Sequence, residues 1–274
     1  MRDSAKRSPA SRVYAALVIL FLYAPIFILI FFSFNSSKSN VVFSGFSLRW
    51  YRELFGSRSV LRSLYTTLEV SVISAAVATV VGTISAVGLF NMRRRVRTPL
   101  MFVNNIPLIN ADIITGAAMC LLFVSLGSVL KFQRGFGTLL IAHITFNVPY
   151  VILSVTPKLR QLDENLVDAA LDLGCTWLRA FRKVIIPEIM PGIINGAMIA
   201  FTMSIDDFVI SYFAAGSGAQ TLSMTIYSMA KRSVPPTINA ISTLLFGAVL
   251  LLLVVINVRE FRQGEREKKL KKSK

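Results

Sequence analysis

The sequence predicts an all-α integral membrane protein with six transmembrane helices. The chain is 54% hydrophobic with a mean hydropathy of +0.62, which is too apolar for a soluble domain of 274 residues. Its apolar residues form long blocks almost without charge, and a helix of about 20 such residues crosses a bilayer. The Lys and Arg residues lie between and beyond these blocks. These observations together favour membrane-spanning helices joined by water-exposed connections.

The first predicted span follows a basic head at residues 1–12 and covers 13–37, a run with no charged residue. A cleaved signal peptide is the alternative, but its apolar core would cover only about 7 to 15 residues. We therefore expect an uncleaved anchor. In the polar connection that follows, Ser47 can cap a short helix at 48–55 that stops at Gly56 and lies at the membrane surface.

Five further spans follow along the chain. We place them at 70–92, within 98–130 with an interruption at Pro107, at 135–157 with His143 inside, from about Pro191 through Asp206 and Asp207, and at 239–258. The transmembrane domain thus covers 13–258, and 259–274 form a basic tail.

The distribution of basic residues sets the orientation. If the N-terminus is cytoplasmic, 21 Lys and Arg residues lie on the cytoplasmic side and 9 on the other side. Both termini are then cytoplasmic. The net charge of +16 needs no nucleic acid, because no aromatic stacking residues are interleaved with the basic ones. Attraction to anionic membrane lipid explains it instead.

A polar stretch at residues 162–187, here called the bracket, separates the fourth and fifth predicted spans. Its pattern predicts two short amphipathic helices, the first capped by Asp163 and stopped by Gly174. Thr176 can cap the second helix, and Pro187 is expected to end it. The predicted orientation places this helix-turn-helix in the cytoplasm.

The bracket resembles the EAA loop of ABC importer permeases, in which Glu-Ala-Ala, three residues, Gly and nine residues precede Ile-x-Leu-Pro. Here Asp168, Ala169 and Ala170 precede Gly174 by that spacing, and residues 184–187 end in Pro187. The resemblance implies a type I ABC importer permease fold in which the bracket docks on a separate ATPase subunit. The alternative is an amphipathic loop that packs only on the protein's own cytoplasmic ends.

The chain contains no phosphate-binding G-x-x-x-x-G-K-[ST] loop. Energy must therefore come from another chain or from an ion gradient, and we expect no cofactor in this chain. The resemblance implies that ATP and Mg are bound by the partner ATPase. His143 is the single histidine, and we expect it to make a hydrogen bond between helices rather than to act in an enzyme.

Three carboxylates lie within predicted spans, where a charge at the bilayer centre costs about 2.5–3.5 kcal/mol. They are Asp112, Asp206 and Asp207. Ser204 and Ser211 recur with Asp207 at helical spacing and predict one polar stripe. No Lys or Arg lies within these spans, so a cationic cargo can supply the opposite charge. Aromatic faces for such a cargo would come from Tyr212 and Tyr227.

An alternative interpretation of the carboxylates remains open. Asp206 and Asp207 can also lie near a membrane surface or pair with basic residues of a partner subunit. Two adjacent carboxylates repel each other, and both can therefore need structural partners.

Nearly the whole chain resembles PotC-type permeases of the spermidine/putrescine ABC importer family. The resemblance is carried by YAPIFILIFFSFNSS, SLRWYRELF, ADI, HITF, SIDDFVISYF and IYSMAKRSVPPTINA. It implies a bacterial inner membrane location, a PotB-like second permease, two PotA-like ATPase subunits and a PotD-like polyamine-binding protein. Residues matching the family's functional positions are Asp112, Ser204, Asp206 and Asp207 in the translocation path, Trp50 in the outer loop and Asp168 in the coupling loop.

The expected function is import of spermidine or putrescine by alternating access, driven by ATP hydrolysis on the partner. Another cargo, such as an opine, thiamine or ferric ion, is the nearest alternative, because the bracket is shared among importers. An ion-coupled secondary carrier that uses the carboxylates is the alternative from another class.

Overall fold

A computed structural model describes residues 9–39, 42–232 and 235–272, and in these ranges the backbone is predominantly helical. The helices are α1 Pro9–Ser33, α2 Arg49–Gly56, α3 Arg58–Asn91, α4 Arg94–Ile109, α5 Asp112–Leu130, α6 Phe136–Leu159, α7 Glu164–Asp172, α8 Trp177–Ala180, α9 Ile186–Asp206, α10 Val209–Ala214, α11 Leu222–Arg232 and α12 Thr237–Lys272. A π-helical turn, Phe181–Ile185, joins α8 to α9. Most of the predicted head at 1–12 lies outside the described residues.

Five helical segments of the described chain are long and apolar enough to cross a bilayer: 13–33, 58–91, 112–130, 136–159 and 177–206. The sixth predicted span falls in α12, whose described apolar part covers Thr237–Leu251. The side chains of the basic tail lie outside the described residues.

Two of the predicted span boundaries are wrong. Helix α3 begins at Arg58 rather than at 70, because the mixed segment before the apolar run is also helical. The fifth span begins ahead of Pro191, which lies inside α9. The predicted interruption of the third span is present, but it falls three residues after Pro107. There Asn110 and Ala111 are extended and separate α4 from α5.

The chain divides into two compact units, the first formed by residues 1–61 and 226–255. In this unit Asn35 organises the connection after α1. Its Nδ2 donates to the carbonyls of Ser39 and Val42, both at 2.8 Å, and its Oδ1 accepts from the N–H of Ser44 at 2.9 Å. The indole Nε1 of Trp50 donates to the Asn35 carbonyl at 2.6 Å. One buried amide and one indole therefore fix the shape of this connection.

The short helix α2 forms as predicted, and the Ser47 hydroxyl accepts the N–H of Arg49 at 3.1 Å. Its two sides differ in exposure. Trp50 and Leu54 are buried, whereas Leu48 and Phe55 are mostly exposed. Trp50 is buried because its indole turns inward to reach the Asn35 carbonyl.

The second unit comprises residues 62–225 and 256–274. Its centre is the packing of α6 against α9, where α9 presents a small residue at every fourth position: Gly192, Gly196, Ala200 and Ser204. A β-carbon at position 196 would lie 3.2 Å from the Val151 Cα of α6. Small residues allow the two backbones to approach closely, as at many helix contacts in membranes. This close contact brings polar groups of α6 against Ser204.

Candidate functional site

The candidate site is built around a break between α9 and α10. Helix α9 ends at Asp206, and Asp207 is extended, with φ −64° and ψ 125°. Its carboxylate then caps α10, because Oδ1 accepts the N–H of Ile210 at 3.2 Å and Oδ2 that of Ser211 at 2.7 Å. The side chain of Asp207 is 7% exposed. The predicted polar stripe is therefore carried by two helices and the joint between them.

The imidazole of His143 contacts all three members of that stripe. Its Nδ1 lies 3.1 Å from the Ser204 hydroxyl, and its Nε2 lies 3.0 Å from the Ser211 hydroxyl and 3.5 Å from Asp207 Oδ2. His143 is 1% exposed. The expectation of a hydrogen bond between helices is confirmed, and the partners prove to be the predicted stripe.

Two residues that the sequence analysis missed complete the cluster. The Nδ2 of Asn147 donates to the Ser204 hydroxyl at 2.8 Å, and the Ser74 hydroxyl of α3 lies 2.9 Å from the same oxygen. The signal for Asn147 was available, because it lies one turn after His143 and shares its helix face. Ser74 carried no comparable signal in an α3 rich in Ser and Thr. Ser204 and Ser211 are both buried, so their part in a translocation path stays a prediction.

The other two predicted carboxylates are exposed. Asp206 is the last residue of α9, and Asp112 is the first residue of α5, directly after the break at 110–111. The first turns of α5 pack against α10, because a β-carbon at Gly116 would lie 2.9 Å from the Phe213 ring and 3.4 Å from the Val209 carbonyl. Both breaks therefore lie in the same region of this unit.

The predicted aromatic residues occupy different environments. Tyr212 lies on α10 and is about half exposed, with its ring 5.6 Å from that of Phe208. Tyr227 lies on α11, in the other unit, and is also about half exposed. Trp50 is 2% exposed, so its indole is not available for direct contact with another protein in this structure. Its structural contribution is to hold the connection around Asn35.

A cavity of about 390 Å³ opens at the end of α5 away from Asp112. Residues of α5, of the 131–134 connection and of the 216–217 turn line it. Arg134 closes one side, because its guanidinium donates to the Phe213 carbonyl at 3.0 Å. The cavity therefore adjoins the C-terminal end of α10, whereas Asp206 and Asp207 lie at its N-terminal end.

The bracket contains two helices, α7 and α8, and its first half has the predicted cap and stop. Asp163 caps α7, and its carboxylate accepts the N–H of Asn165 at 3.0 Å. Gly174 has a φ of +81°, a backbone conformation that glycine adopts without strain. The N–H groups of Gly174 and Cys175 donate to the carbonyls of Leu171 and Ala170, which forms a Schellman turn.

The second half of the bracket departs from the prediction. Thr176 directly precedes α8 but makes no side-chain capping bond, and Pro187 does not end the helix. The chain instead remains helical from Trp177 to Asp206. Proline lacks an N–H and crowds the preceding turn, and the wider π turn just before it, with an Ile186 N–H to Phe181 carbonyl bond, accommodates both effects.

The base and the tip of the bracket have opposite surroundings. At the base, Leu162, Phe181 and Ile185 pack against the core formed by α3, α6 and α9. At the tip, Leu173 is 86% exposed and Trp177 and Leu178 are about half exposed. Asp168 and Ala169 are exposed and Ala170 is partly buried. The chain's own helices therefore cover the base and leave an apolar tip uncovered.

Comparison with known proteins places this geometry in a family. The sequence profile described as "Binding-protein-dependent transport system inner membrane component" matches residues 78–263, which include the bracket, His143 and the α9–α10 break. The chain belongs to this family. It is accordingly a multi-pass inner membrane protein and a transporter subunit rather than an enzyme.

Members of the family with assigned cargo are similar along most of the chain. The putrescine transport system permease protein PotI of Escherichia coli K12 is 42% identical over 246 residues, which are 89% of this chain and 88% of PotI. The spermidine/putrescine transport system permease protein PotC of the same organism is 37% identical over 87% of this chain and 88% of PotC. PotC of Haemophilus influenzae is 33% identical over 87% of this chain and 91% of its own length.

Solved structures of importers share the fold. A chain of a bacterial alginate ABC transporter superposes with a TM-score of 0.70 at 15% identity, covering 92% of this chain and 94% of that chain. A chain of the MetNI methionine ABC transporter gives a TM-score of 0.60 at 20% identity, covering 74% and 95%. This chain therefore has the type I ABC importer permease fold that the bracket predicted.

Proposed function

We propose that this chain is a permease subunit of an ATP-driven importer for polyamines. The observation that carries the proposal is the pair of helix breaks that leave the carboxylates of Asp112 and Asp206 exposed in one region. Helices α5 and α9 contain no Lys or Arg, so a cationic cargo would supply the opposite charge. The relatives named for putrescine and spermidine support that cargo class.

The uncovered apolar tip of the bracket supports a cytoplasmic ATPase partner. Apolar surface that the chain does not bury itself is typical of an interface, and here it is presented by the segment with the EAA spacing. We assign Asp168, Ala169, Ala170, Gly174 and Pro187 to this coupling segment. ATP and Mg would be bound by two ATPase subunits, and this chain would supply no cofactor ligand.

The family and the solved importer structures support the remaining partners. A second permease of the same fold would complete the path, and an extracytoplasmic polyamine-binding protein would deliver the cargo. With both termini and the bracket in the cytoplasm, the connection held by Trp50 and Asn35 faces the binding protein. We propose that Trp50 acts there by keeping this connection in shape.

Transport would proceed by alternating access. ATP binding closes the ATPase subunits, the brackets move with them, and the path around Asp112 and Asp206 opens to the binding protein. The cargo ammonium groups then exchange water for carboxylate oxygens, with aromatic faces such as that of Tyr212 beside the methylene chain. ATP hydrolysis returns the path to the cytoplasmic side.

Uptake by the reconstituted complex tests this function. The chain is purified together with the partner permease and the ATPase subunits, and the complex is placed in liposomes. Uptake is then measured with ATP and with binding protein that carries radiolabelled putrescine or spermidine. Asp206→Asn and Asp112→Asn should each reduce the uptake rate at least tenfold, which corresponds to about 1.4 kcal/mol in the activation free energy. Asp206→Glu and Asp112→Glu, which keep the charge, should retain more of it.

Three outcomes would overturn the proposal. Uptake of thiamine, an opine or ferric ion in place of polyamine would assign another cargo. Transport by this chain without any ATPase would identify a secondary carrier. Equal uptake by the Asn and Glu variants would remove the carboxylates from the path.

A further inference from the structure

The two ring nitrogens of His143 contact opposite sides of the α9–α10 break. Nδ1 faces Ser204, on the last turn of α9, at 3.1 Å, and Nε2 faces Ser211, on the first turn of α10, at 3.0 Å. One buried side chain of a third helix therefore bridges two helices whose backbone connection is extended at Asp207. Its planar ring fixes the separation between the two hydroxyl groups, because the two nitrogens cannot move independently.

The carboxylate of Asp207 completes this arrangement from within the joint. Its oxygens accept the N–H groups of Ile210 and Ser211, and Oδ2 lies 3.5 Å from His143 Nε2. All of these groups belong to the joint or to the ring that spans it. Asp207 thus uses its oxygens inside the helix packing, whereas the adjacent Asp206 is exposed.

One hydrogen-bond pattern satisfies His143, Ser204 and Ser211, whereas the Oδ1 of Asn147 has no partner among the described residues. With its proton on Nε2, His143 donates toward Ser211 and Asp207, and its Nδ1 accepts the Ser204 hydroxyl proton. The Ser204 oxygen then accepts from the Nδ2 of Asn147 at 2.8 Å and from the Ser74 hydroxyl at 2.9 Å. Helices α3 and α6 are thereby connected to the joint between α9 and α10 through one imidazole and one hydroxyl.

We propose that His143 and Asp207 are positioning residues that hold the α9–α10 joint and thereby direct Asp206 toward the cargo. The adjacent aspartates thus have different tasks, since Asp206 meets the cargo and Asp207 fixes the backbone from which Asp206 projects. The cargo part of this inference rests on the proposed function. The holding of the joint rests on the contacts alone.

Asparagine and glutamine can each replace one of the two ring nitrogens of His143. The two substitutions therefore test the two contacts of the ring one at a time. In His143→Asn the amide oxygen takes the place of Nδ1 as the acceptor and can reach Ser204 only. In His143→Gln the terminal amide takes the place of Nε2 and can reach Ser211 and Asp207 only. Each variant keeps a polar group in the cluster but loses one side of the joint.

Hydrogen exchange of backbone amides in the complete complex, reconstituted in nanodiscs, measures the joint without reference to cargo. His143→Asn, His143→Gln and Asp207→Asn should each speed exchange at Ile210 and Ser211 by at least tenfold, which corresponds to about 1.4 kcal/mol less protection. Asp207→Asn belongs with them because its amide nitrogen cannot accept a backbone N–H. Asp206→Asn should leave this exchange unchanged.

Uptake kinetics supply the second measurement. In the three joint variants the maximum polyamine uptake rate should fall about tenfold, whereas the concentration of loaded binding protein at half-maximum should stay within twofold, since delivery precedes the affected step. Assembly with the partner permease and ATPase should remain at the wild-type level.

The possible outcomes distinguish the positioning role from the cargo assignment. Unchanged exchange at Ile210 and Ser211 in both His143 variants, full uptake by either of them, or failure of both to assemble would overturn the positioning role. If the wild-type complex moves no polyamine but exchange rises as expected, the cargo assignment fails and the held joint remains.

Discussion

Gly82 of α3 packs so closely on Val151 of α6 that a β-carbon at position 82 would lie 2.7 Å from the Val151 Cβ. Gly82→Ala should therefore force the two helices apart and destabilise the protein by about 1–3 kcal/mol, as overpacking does. Thermal unfolding of the purified complex measures this loss. Gly88→Ala on the same helix is the control, because its β-carbon would meet no atom within 4 Å. Equal effects at both positions would contradict the close α3–α6 contact.

Ser71 and Ser74 are buried one turn apart on α3, but their hydroxyl groups differ in partners. Among the described residues the Ser71 hydroxyl has no hydrogen-bond partner, whereas that of Ser74 lies 2.9 Å from Ser204. Ser71→Ala should leave thermal stability unchanged or raise it, since an unsatisfied buried group costs about 1–3 kcal/mol. Ser74→Ala should lower it. The reverse order would show that Ser71 is bonded and Ser74 dispensable.

Gly174 adopts a positive φ with open space around its Cα, so strain rather than crowding limits substitution there. Gly174→Asn should preserve coupling, because asparagine tolerates this conformation. Gly174→Glu should disrupt the turn and place a negative charge at the end of α7, where the helix dipole disfavours it. The ratio of cargo transported to ATP hydrolysed should stay normal in the first variant and fall at least tenfold in the second, about 1.4 kcal/mol. A normal ratio in both would remove the turn from the coupling mechanism.

The exposed side chain of Leu173 offers a direct test of the ATPase interface. Leu173→Asp should not affect folding of the membrane region, since the side chain is 86% exposed. It should nevertheless weaken ATPase binding by about 2 kcal/mol or more, because a charge replaces an apolar contact. Co-purification of the ATPase measures this, with Leu173→Met as the apolar control. Retention of the ATPase by the Asp variant would place the interface elsewhere.

Much of the site was accessible from the sequence, but its connections were not. The cap at Asp163 and the stop at Gly174 follow from local patterns, and local contacts form them. The spacing of Ser204, Asp207 and Ser211 likewise predicted one polar stripe, but not that His143 contacts it. No proline or glycine marks the break at Asp207. The capping carboxylate and His143, which lies 64 positions earlier, satisfy the groups that the break leaves free. Local sequence patterns carry no signal of such a distant partner.

At the prolines, by contrast, the sequence predicted helix boundaries that the structure does not have. Pro187 and Pro191 predicted the end of one helix and the start of another, yet both lie inside a continuous helical segment. A proline is compatible with a helix where the preceding turn widens or where its missing N–H falls in the first turn. The sequence around Pro187 shows neither condition, since the π turn depends on packing of Phe181 and Ile185 against the core.

The uninterrupted helix from Trp177 to Asp206 has a mechanical consequence. At 1.5 Å per residue its 30 residues would reach about 45 Å in a straight helix, and the π turn and the two prolines shorten this distance where they bend the segment. In the proposed arrangement one end of this segment would contact the ATPase subunit, and the other end would carry the Asp206 carboxylate that contacts the cargo. A tilt of about 5° about one end would displace the other by roughly 4 Å over that length, enough to make or break an ammonium contact without any intervening relay.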